Sequence, residues 1–484
     1  MRNFDTNRSG LGLLDSILPG SILPGSILLS SILLASAPVW SQDQQHTVPA
    51  PAATAPIISG LVNGDNDAVR MLTPPPVSGG TYPVALTSEE RSNYLRGGVT
   101  FSTAYSDNVL AATEPNPVSD VSYSVWPTIS LDETTPRMHA ILTYAPGFTF
   151  YQRESSLNEA DQNAALSFQY RLSPHVTFSA RDGFQKSSNV FNQPDLGAAG
   201  AVSGGVQEPN QSVIAPIADR LSNYGNVGIT YQFAANSMVG ASGSFANLHY
   251  PDQAQVPGLF DSESQSGLAF YSLRVAKRHY VGATYQYQRL LSFPAPGTNE
   301  TQTHALLLFY TVYLTPKFSI SVFGGPQYAD AGPQFSETVS APSPTSRTWK
   351  PEAGGSLSWQ GRMSSVAISY AHMIASGGGL IGAVQMDSAI ATFHQQLSRM
   401  LSASVSGGYA QNDILTVTPV ADSNGHTVSG TASLQQQLGQ HFNLQLGYTR
   451  LHQDYSSVAV LAANPNTNRE FVSISYQFSR PLGR

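Results

Sequence analysis

The sequence contains no cysteine, which excludes disulfides, thiolate metal ligands, cysteine nucleophiles and the lipid-attachment residue of a lipoprotein. It is also poor in charge. Only 11% of its 484 residues are Asp, Glu, Lys or Arg, where a soluble domain carries about 25% to solvate its surface. A face turned to lipid accounts for the shortfall. No stretch approaches 18 consecutive apolar residues, the length at which a helix begins to span a bilayer. A membrane crossing would therefore have to be made with strands. The net charge of -7 gives no basic surface for nucleic acid. There is no HExxH, no Gly-rich phosphate loop and no metal-ligand spacing. His139, His304, His372, His394 and His452 fall on separate segments with no Ser or Asp in a catalytic order. Neither an enzyme site, a cofactor nor a metal is expected.

What is present begins with a secretion signal over residues 1–41. Arg2 and Arg8 precede SILPGSILPGSILLSSILLASAPVWSQ, with an apolar core from Ile27 to Ala35 and cleavage expected after Ser41. Residues 42–92 include VPAPAATAP and TPPPVSGGTYP, a Pro- and Ala-rich composition with little to pack, which reads as a flexible periplasmic leader.

From residue 93 to 478 the chain alternates apolar and neutral-polar residues in segments of about ten, the length of a tilted membrane-spanning strand. Val428, Gly430, Ala432 and Leu434 alternate with Ser429, Thr431, Ser433 and Gln435. About eighteen such segments can be marked, for example at 162–172, 223–233, 266–275 and 469–478. Short connections such as YRLSPHVTF, YQFAANSMV and VYLTPKFSI alternate with longer ones, Lys186 to Ser222 being the longest. The short connections carry His175, Lys277, Arg278, Lys317, Arg362 and Arg399, and the long ones carry Glu208, Asp219, Asp252, Asp261 and Glu337. This predicts an all-β, up-and-down antiparallel transmembrane barrel with short periplasmic turns and long extracellular loops. Both ends of the barrel fall on the turn side, and residues 479–484 form a tail beyond it.

Aromatic residues gather at segment ends, as two interfacial girdles require. Tyr231, Phe233, Tyr313, Phe318, Phe442, Tyr476 and Phe478 belong to the turn side, and Tyr105, Phe184, Tyr328, Tyr409 and Tyr448 to the loop side. The opposite phase supplies the pore-lining candidates Arg181, Ser179, Thr284, Gln286, Ser356, Glu352, Ser404, Gln435 and Gln445. Arg181, nearest mid-strand, reads first as an ordinary lumen charge with a loop partner, with a bias toward anions or sugar hydroxyls as the alternative. The Lys186–Ser222 segment either folds into the lumen or remains a surface loop.

Two passages resemble a known family. YLRGGVTFSTAYSDNVL, from Tyr94 to Leu110, is similar to the opening strand of bacterial outer-membrane β-barrel porins and exopolysaccharide-type barrels. FVSISYQFSRPLGR resembles the closing strand of outer-membrane barrels, where Phe471, Ile474, Tyr476 and Phe478 stand for the signal read by the barrel-assembly machinery. The resemblance implies outer-membrane lipid and that machinery as partners, in a Gram-negative-type bacterium. It implies a porin-like class but no substrate; the neutral-polar inner face leads to the expectation of passive passage of small hydrophilic, neutral solutes, with a conduit for exported glycan or a structural or adhesive surface barrel as alternatives, and the oligomeric state stays open. Protein in mild detergent should run at different gel mobilities before and after boiling, because a closed ladder has no edge at which to start opening. Water-soluble protein without that shift would refute the membrane assignment.

Overall fold

Hydrocarbon offers no partner to a backbone N–H or C=O, so strands cross it only in a ladder without edges. The computed structural model describes residues 93–111, 117–189, 191, 217–256, 258–294, 297–315, 317–332, 346–380, 382–415, 424–455 and 466–481. The segments expected to be signal and leader lie outside them. Eighteen strands run in order: β1 (Tyr94–Ser106), β2 (Asp120–Thr134), β3 (Met138–Tyr151), β4 (Glu159–Arg171), β5 (Val176–Asn189), β6 (Ile217–Ala234), β7 (Ser237–His249), β8 (Ser262–Ala276), β9 (His279–Ser292), β10 (Asn299–Thr315), β11 (Phe318–Ala331), β12 (Ser346–Gln360), β13 (Ser364–Ser376), β14 (Ala383–Gln396), β15 (Leu401–Ile414), β16 (Asn424–Leu438), β17 (Phe442–Asp454) and β18 (Asn466–Pro481). Each pairs antiparallel with the next, and β1 pairs with β18, which closes the ring. The turns after even-numbered strands are short, for example 135–137, 235–236 and 277–278, so residue 94 and residue 481 lie at one end.

The register assigns the faces. Phe101 stands opposite Ile474 and Val125, while its neighbour Thr100 stands opposite Ser475 and Trp126. Phe101 is 51% and Ile474 41% exposed, against 5% for Thr100 and 2% for Ser475. Large apolar side chains on the outside and small polar ones inside are the reverse of a soluble sheet protein, and they match a barrel whose solvent is lipid. Leu306, Leu308, Ile368, Val405, Leu434, Leu446 and Val472 continue the exposed apolar band. The band is interrupted at β5 and β6, where Asp182 and Asn223 also face outward; the Asn223 side-chain amide donates to Asp182 Oδ1 at 3.3 Å.

The inner wall holds aromatics too, and glycines make room for them. Trp126 lies over Gly147, Phe309 over Gly282, Phe323 over Gly354 and Phe471 over Gly447, so a Cβ at any of these glycines would overlap the ring. Each of the four rings is buried. Phe471 therefore belongs to the inner face, whereas Ile474, Tyr476 and Phe478 face outward; the adjacent apolar pair Phe471 and Val472 hides that phase in the sequence. Tyr313 also departs from the outer girdle expected for it. The register with β11 is unbroken from Leu308 to Tyr313, so Tyr313 shares the inner phase of Leu307 and Phe309, and its ring packs against Tyr280 with centroids 5.8 Å apart.

Strand ends at the turns match the alternation closely, but ends at the loops run past it. β4 starts at Glu159 rather than 162, β8 at Ser262 rather than 266, and residues 186–189 and 217–222 are ladder rather than loop. Above the hydrocarbon the outward face has no need to be apolar, so pairing continues after the alternation stops. The same holds at the C-terminus. Ser479, Arg480 and Pro481 pair with Arg96, Leu95 and Tyr94, so the tail beyond the ladder begins at residue 482, not 479. Removing 482–484 should leave the unfolding midpoint unchanged, whereas removing 479–484 should lower it by taking three rungs from the closing seam. Equal midpoints would mean the last rungs carry no closure. On the outer face, Leu446→Arg should destabilise the barrel by roughly 2–4 kcal/mol if it sits at mid-bilayer, and Gln445→Arg on the inner face by much less; equal losses in urea titration would reverse the face assignment.

Candidate functional site

All nine lumen candidates stand on the inner face. Arg181 is opposite Asn226, Ser179 opposite Gly228, Thr284 opposite Leu307 and Gln286 opposite Ala305. Ser356 faces Ser321, Glu352 faces Gly325, Ser404 faces Ser433 and Gln435 faces Gln445. They do not converge on one point. Thr284, Gln286, Glu352 and Gln445 are packed into the wall, whereas Arg181 is exposed and Ser179, Ser356, Ser404 and Gln435 are half-buried. Water therefore reaches the inner face chiefly along β5–β7 and β14–β16. That surface is made of hydroxyls and amides, for example the Ser404 and Ser433 hydroxyls 2.7 Å apart and those of Ser244 and Ser266 at 2.6 Å.

At the loop end the barrel is not an open tube. β12 and β13 pair from Gln360–Ser365 up to Ala353–His372 and no further. Beyond that rung β13 and β14 stay paired to each other through Ser376–Ala383 but leave β12 behind. The backbone N–H of Ile374 donates instead to the side-chain oxygen of Gln327 on β11, at 3.2 Å, and Ile374 packs against Leu290, Ala329 and Ala383. The hairpin thus bends across the mouth. The base of the bend carries, on the outer face, His372 Nδ1 2.8 Å and Tyr370 OH 2.6 Å from the same Asp387 oxygen.

The β7–β8 loop comes to meet this hairpin from six strands away around the ring. Asp261 gathers the base of the loop, accepting from the Tyr250 backbone N–H at 2.9 Å and lying 2.6 Å from His249 Nδ1. Tyr250, Val256 and Leu259 then pack with Leu380 and Val384 of the hairpin, Ala218 of β6 and Tyr455 beyond β17. Two hydrogen bonds join the loop to the hairpin, Tyr250 OH to Gly378 O at 3.1 Å and Phe260 N–H to Gly379 O at 2.7 Å, and a third ties the hairpin to the end of β9, Gly382 N–H to Ser292 Oγ at 3.0 Å. Gly379 and Gly382 have φ of +107° and +81°, a backbone that L side chains avoid. Neither Tyr250 nor the hairpin tip was marked by the alternation. The available signal was apolar residues, Leu259 and Leu380, in connections that should otherwise be polar.

A second cluster lines the mouth on the β4–β6 side. The Arg220 guanidinium donates to Ser187 Oγ at 3.2 Å, Asp161 accepts from the Ser188 backbone N–H at 3.2 Å, and Arg469 donates to Phe191 O. Phe191 is the one described residue of 190–216; whether that loop enters the lumen lies outside the described residues. Among the described residues no three His, Asp or Glu side chains are arranged to hold a metal ion.

Burial in the mouth cluster pushes the Tyr250 phenol up to about 12, with the nearby Arg220 opposing the rise. An unfolded tyrosine titrates near 10. The folded state thus holds the phenolic proton more tightly, and its stabilising contribution is complete below pH 10 and lost as the pH rises to 12. Tyr250→Phe should cost about 1 kcal/mol, the worth of one buried hydrogen bond, and this difference from wild type should vanish between pH 10 and 12 in thermal unfolding. A difference that persists unchanged at pH 12 would remove Tyr250 from the latch.

No family model matches the chain, and no curated protein does. Among solved structures, OccAB4 of Acinetobacter baumannii is 10% identical, with 81% of this chain and 100% of that one covered and a TM-score of 0.38. OpdQ of Pseudomonas aeruginosa is 8% identical over 80% and 98%, TM-score 0.39, and the FrpB iron transporter of Neisseria meningitidis 9% identical over 80% and 82%, TM-score 0.40. Likeness of this degree does not bear on what passes through this barrel. The assignment rests on the chain's own ladder, closed by β1 and β18, its exposed apolar band and its two-sided connections: the chain is an eighteen-stranded β-barrel of the bacterial outer membrane.

Proposed function

We propose that this barrel is a passive channel for small, hydrophilic, neutral solutes, limited at its outer mouth by the contact between the β7–β8 loop and the β13–β14 hairpin. The observation that carries the reading is the wetted inner face of Ser, Thr, Asn and Gln along β5–β7 and β14–β16. A wall of neutral donors and acceptors replaces part of a solute's hydration without trapping it by charge. Eighteen strands enclose a lumen wider than wall side chains alone fill. A continuous glycan would need the mouth held open along its whole passage, and the packing of Tyr250, Leu259 and Leu380 weighs against that reading.

Full-length protein reconstituted in planar bilayers should give discrete conductance steps. Tyr250→Ala removes one hydrogen bond and much of the apolar contact of the mouth, so it should raise the open fraction about fivefold or more, in line with roughly 1 kcal/mol or more of lost latch. A barrel that folds and inserts but never conducts would refute the channel, and equal open fractions in wild type and variant would refute the mouth as the limiting point.

A further inference from the structure

On the lower part of β6 the outward phase is odd-numbered: Val227, Ile229, Tyr231 and Phe233 are all exposed to lipid. Pairing with β5 runs without a shift from Tyr231 to Arg220, so Tyr224 falls on the inner phase, opposite Gly183 and Ala246. It is nevertheless 51% exposed. Among the described strand residues no other aromatic this exposed faces the lumen. The buried rings that lie over glycines on this face, Trp126, Phe309, Phe323 and Phe471, are between 3% and 7% exposed. Tyr224 also has a glycine across from it but does not lie on it, since a Cβ at Gly183 would meet nothing within 4 Å. An aromatic face thus stands in water beside an empty notch in the wall.

The neighbours of the notch are polar and directional. Arg181, one pair toward the turns from Gly183 on the same face, is exposed, and no carboxylate among the described residues pairs with it. It lies near enough to Tyr224 to act on the phenol electrostatically. The Asn226 side-chain amide donates to Gly243 O at 3.3 Å, which turns one of its groups to the wall and leaves its side-chain oxygen to accept. The Ser244 and Ser266 hydroxyls close the far side.

We propose that Tyr224, Arg181, Asn226 and the notch at Gly183 form a binding step for a pyranose sugar on its way through the lumen. This deepens the channel reading and rests on it for its purpose. A pyranose has an apolar face of C–H bonds that lies on an aromatic ring, and a rim of hydroxyls that needs donors and acceptors at its edge. The ring supplies the first. The guanidinium fork donates to a vicinal pair of hydroxyl oxygens, and the Asn226 oxygen accepts from a third hydroxyl. One exposed guanidinium in a neutral wall does not select strongly for anions, whereas a ring together with a fork and an amide is selective for a stacked polyol. A binding step of this kind raises the local concentration of the sugar at mid-barrel while the neutral stretches on either side let it leave.

The test is isothermal calorimetry of maltohexaose against full-length protein in detergent, which reads the site whether or not the barrel conducts; conductance steps in bilayers read the channel separately. Wild type should bind, and Tyr224→Ala should weaken binding about tenfold or more, the equivalent of roughly 1.4 kcal/mol of lost stacking. Tyr224→Phe should stay close to wild type because the ring face is kept. Gly183→Leu starts from a Cβ that meets nothing within 4 Å and puts a side chain into the notch beside Tyr224, so it should weaken binding as much as Tyr224→Ala, with unchanged heat-shifted gel mobility showing that the barrel is intact. Maltohexaose binding that is absent in wild type, or equal in wild type, Tyr224→Ala and Gly183→Leu, overturns the proposal, as does binding of benzoate with none of maltohexaose. Binding without conductance would leave the sugar site standing and sink the channel.

Discussion

Every other property of this molecule depends on thirteen residue pairs between β1 and β18. Until they form, the sheet has two edges, and each edge presents backbone groups that hydrocarbon cannot satisfy. Once they form, the outside must be apolar because lipid is its solvent, and the inside is freed from that demand and can carry hydroxyls, amides and a few charges. Closure also sorts the connections. With an even number of strands both chain ends return to the turn side, and the long connections are gathered at the opposite mouth, where they can touch each other.

Lipid made the strands legible in the sequence. An outward position that must be apolar and an inward one that need not be produce a two-residue period, and all eighteen strands could be found from it. The period is silent where lipid is absent, which is why β6 begins at Ile217 and β18 ends at Pro481 without the alternation showing either. It is ambiguous where both phases are apolar, from Leu306 to Leu314 around Tyr313, and where two apolar residues adjoin, at Phe471 and Val472. Tyr224 is the opposite case: its phase conflict with Val227 and Ile229 is visible in the sequence and gains meaning only when the empty space at Gly183 is known. The mouth could not be read in this way. Tyr250 and Gly378 are 128 residues apart, and nothing local in either segment names the other.

Inside the barrel, bulk is managed by glycine. Folding Trp126, Phe309, Phe323 and Phe471 flat against neighbouring strands fills space near the wall without obstructing the axis. The arrangement leaves the two sides of the inner surface unlike one another: dense around β1–β3 and β9–β11, wetted along β5–β7 and β14–β16. A solute path confined to part of a wide barrel can be more selective than the strand count implies, because a narrow wetted strip brings each solute against the same few side chains.

The parting of β13 from β12 sets the height at which the protein floats. From Ser346 to Glu352 the β12 backbone has rungs on the β11 side alone, and its other row of N–H and C=O groups must find water or polar headgroups. Hydrocarbon therefore has to stop below the Ala353–His372 rung. Trp349, 68% exposed just above it, is then at headgroup level, where indole rings settle. The open stretch of one strand acts as a waterline: a bilayer thick enough to cover it would have to thin locally or push the barrel outward.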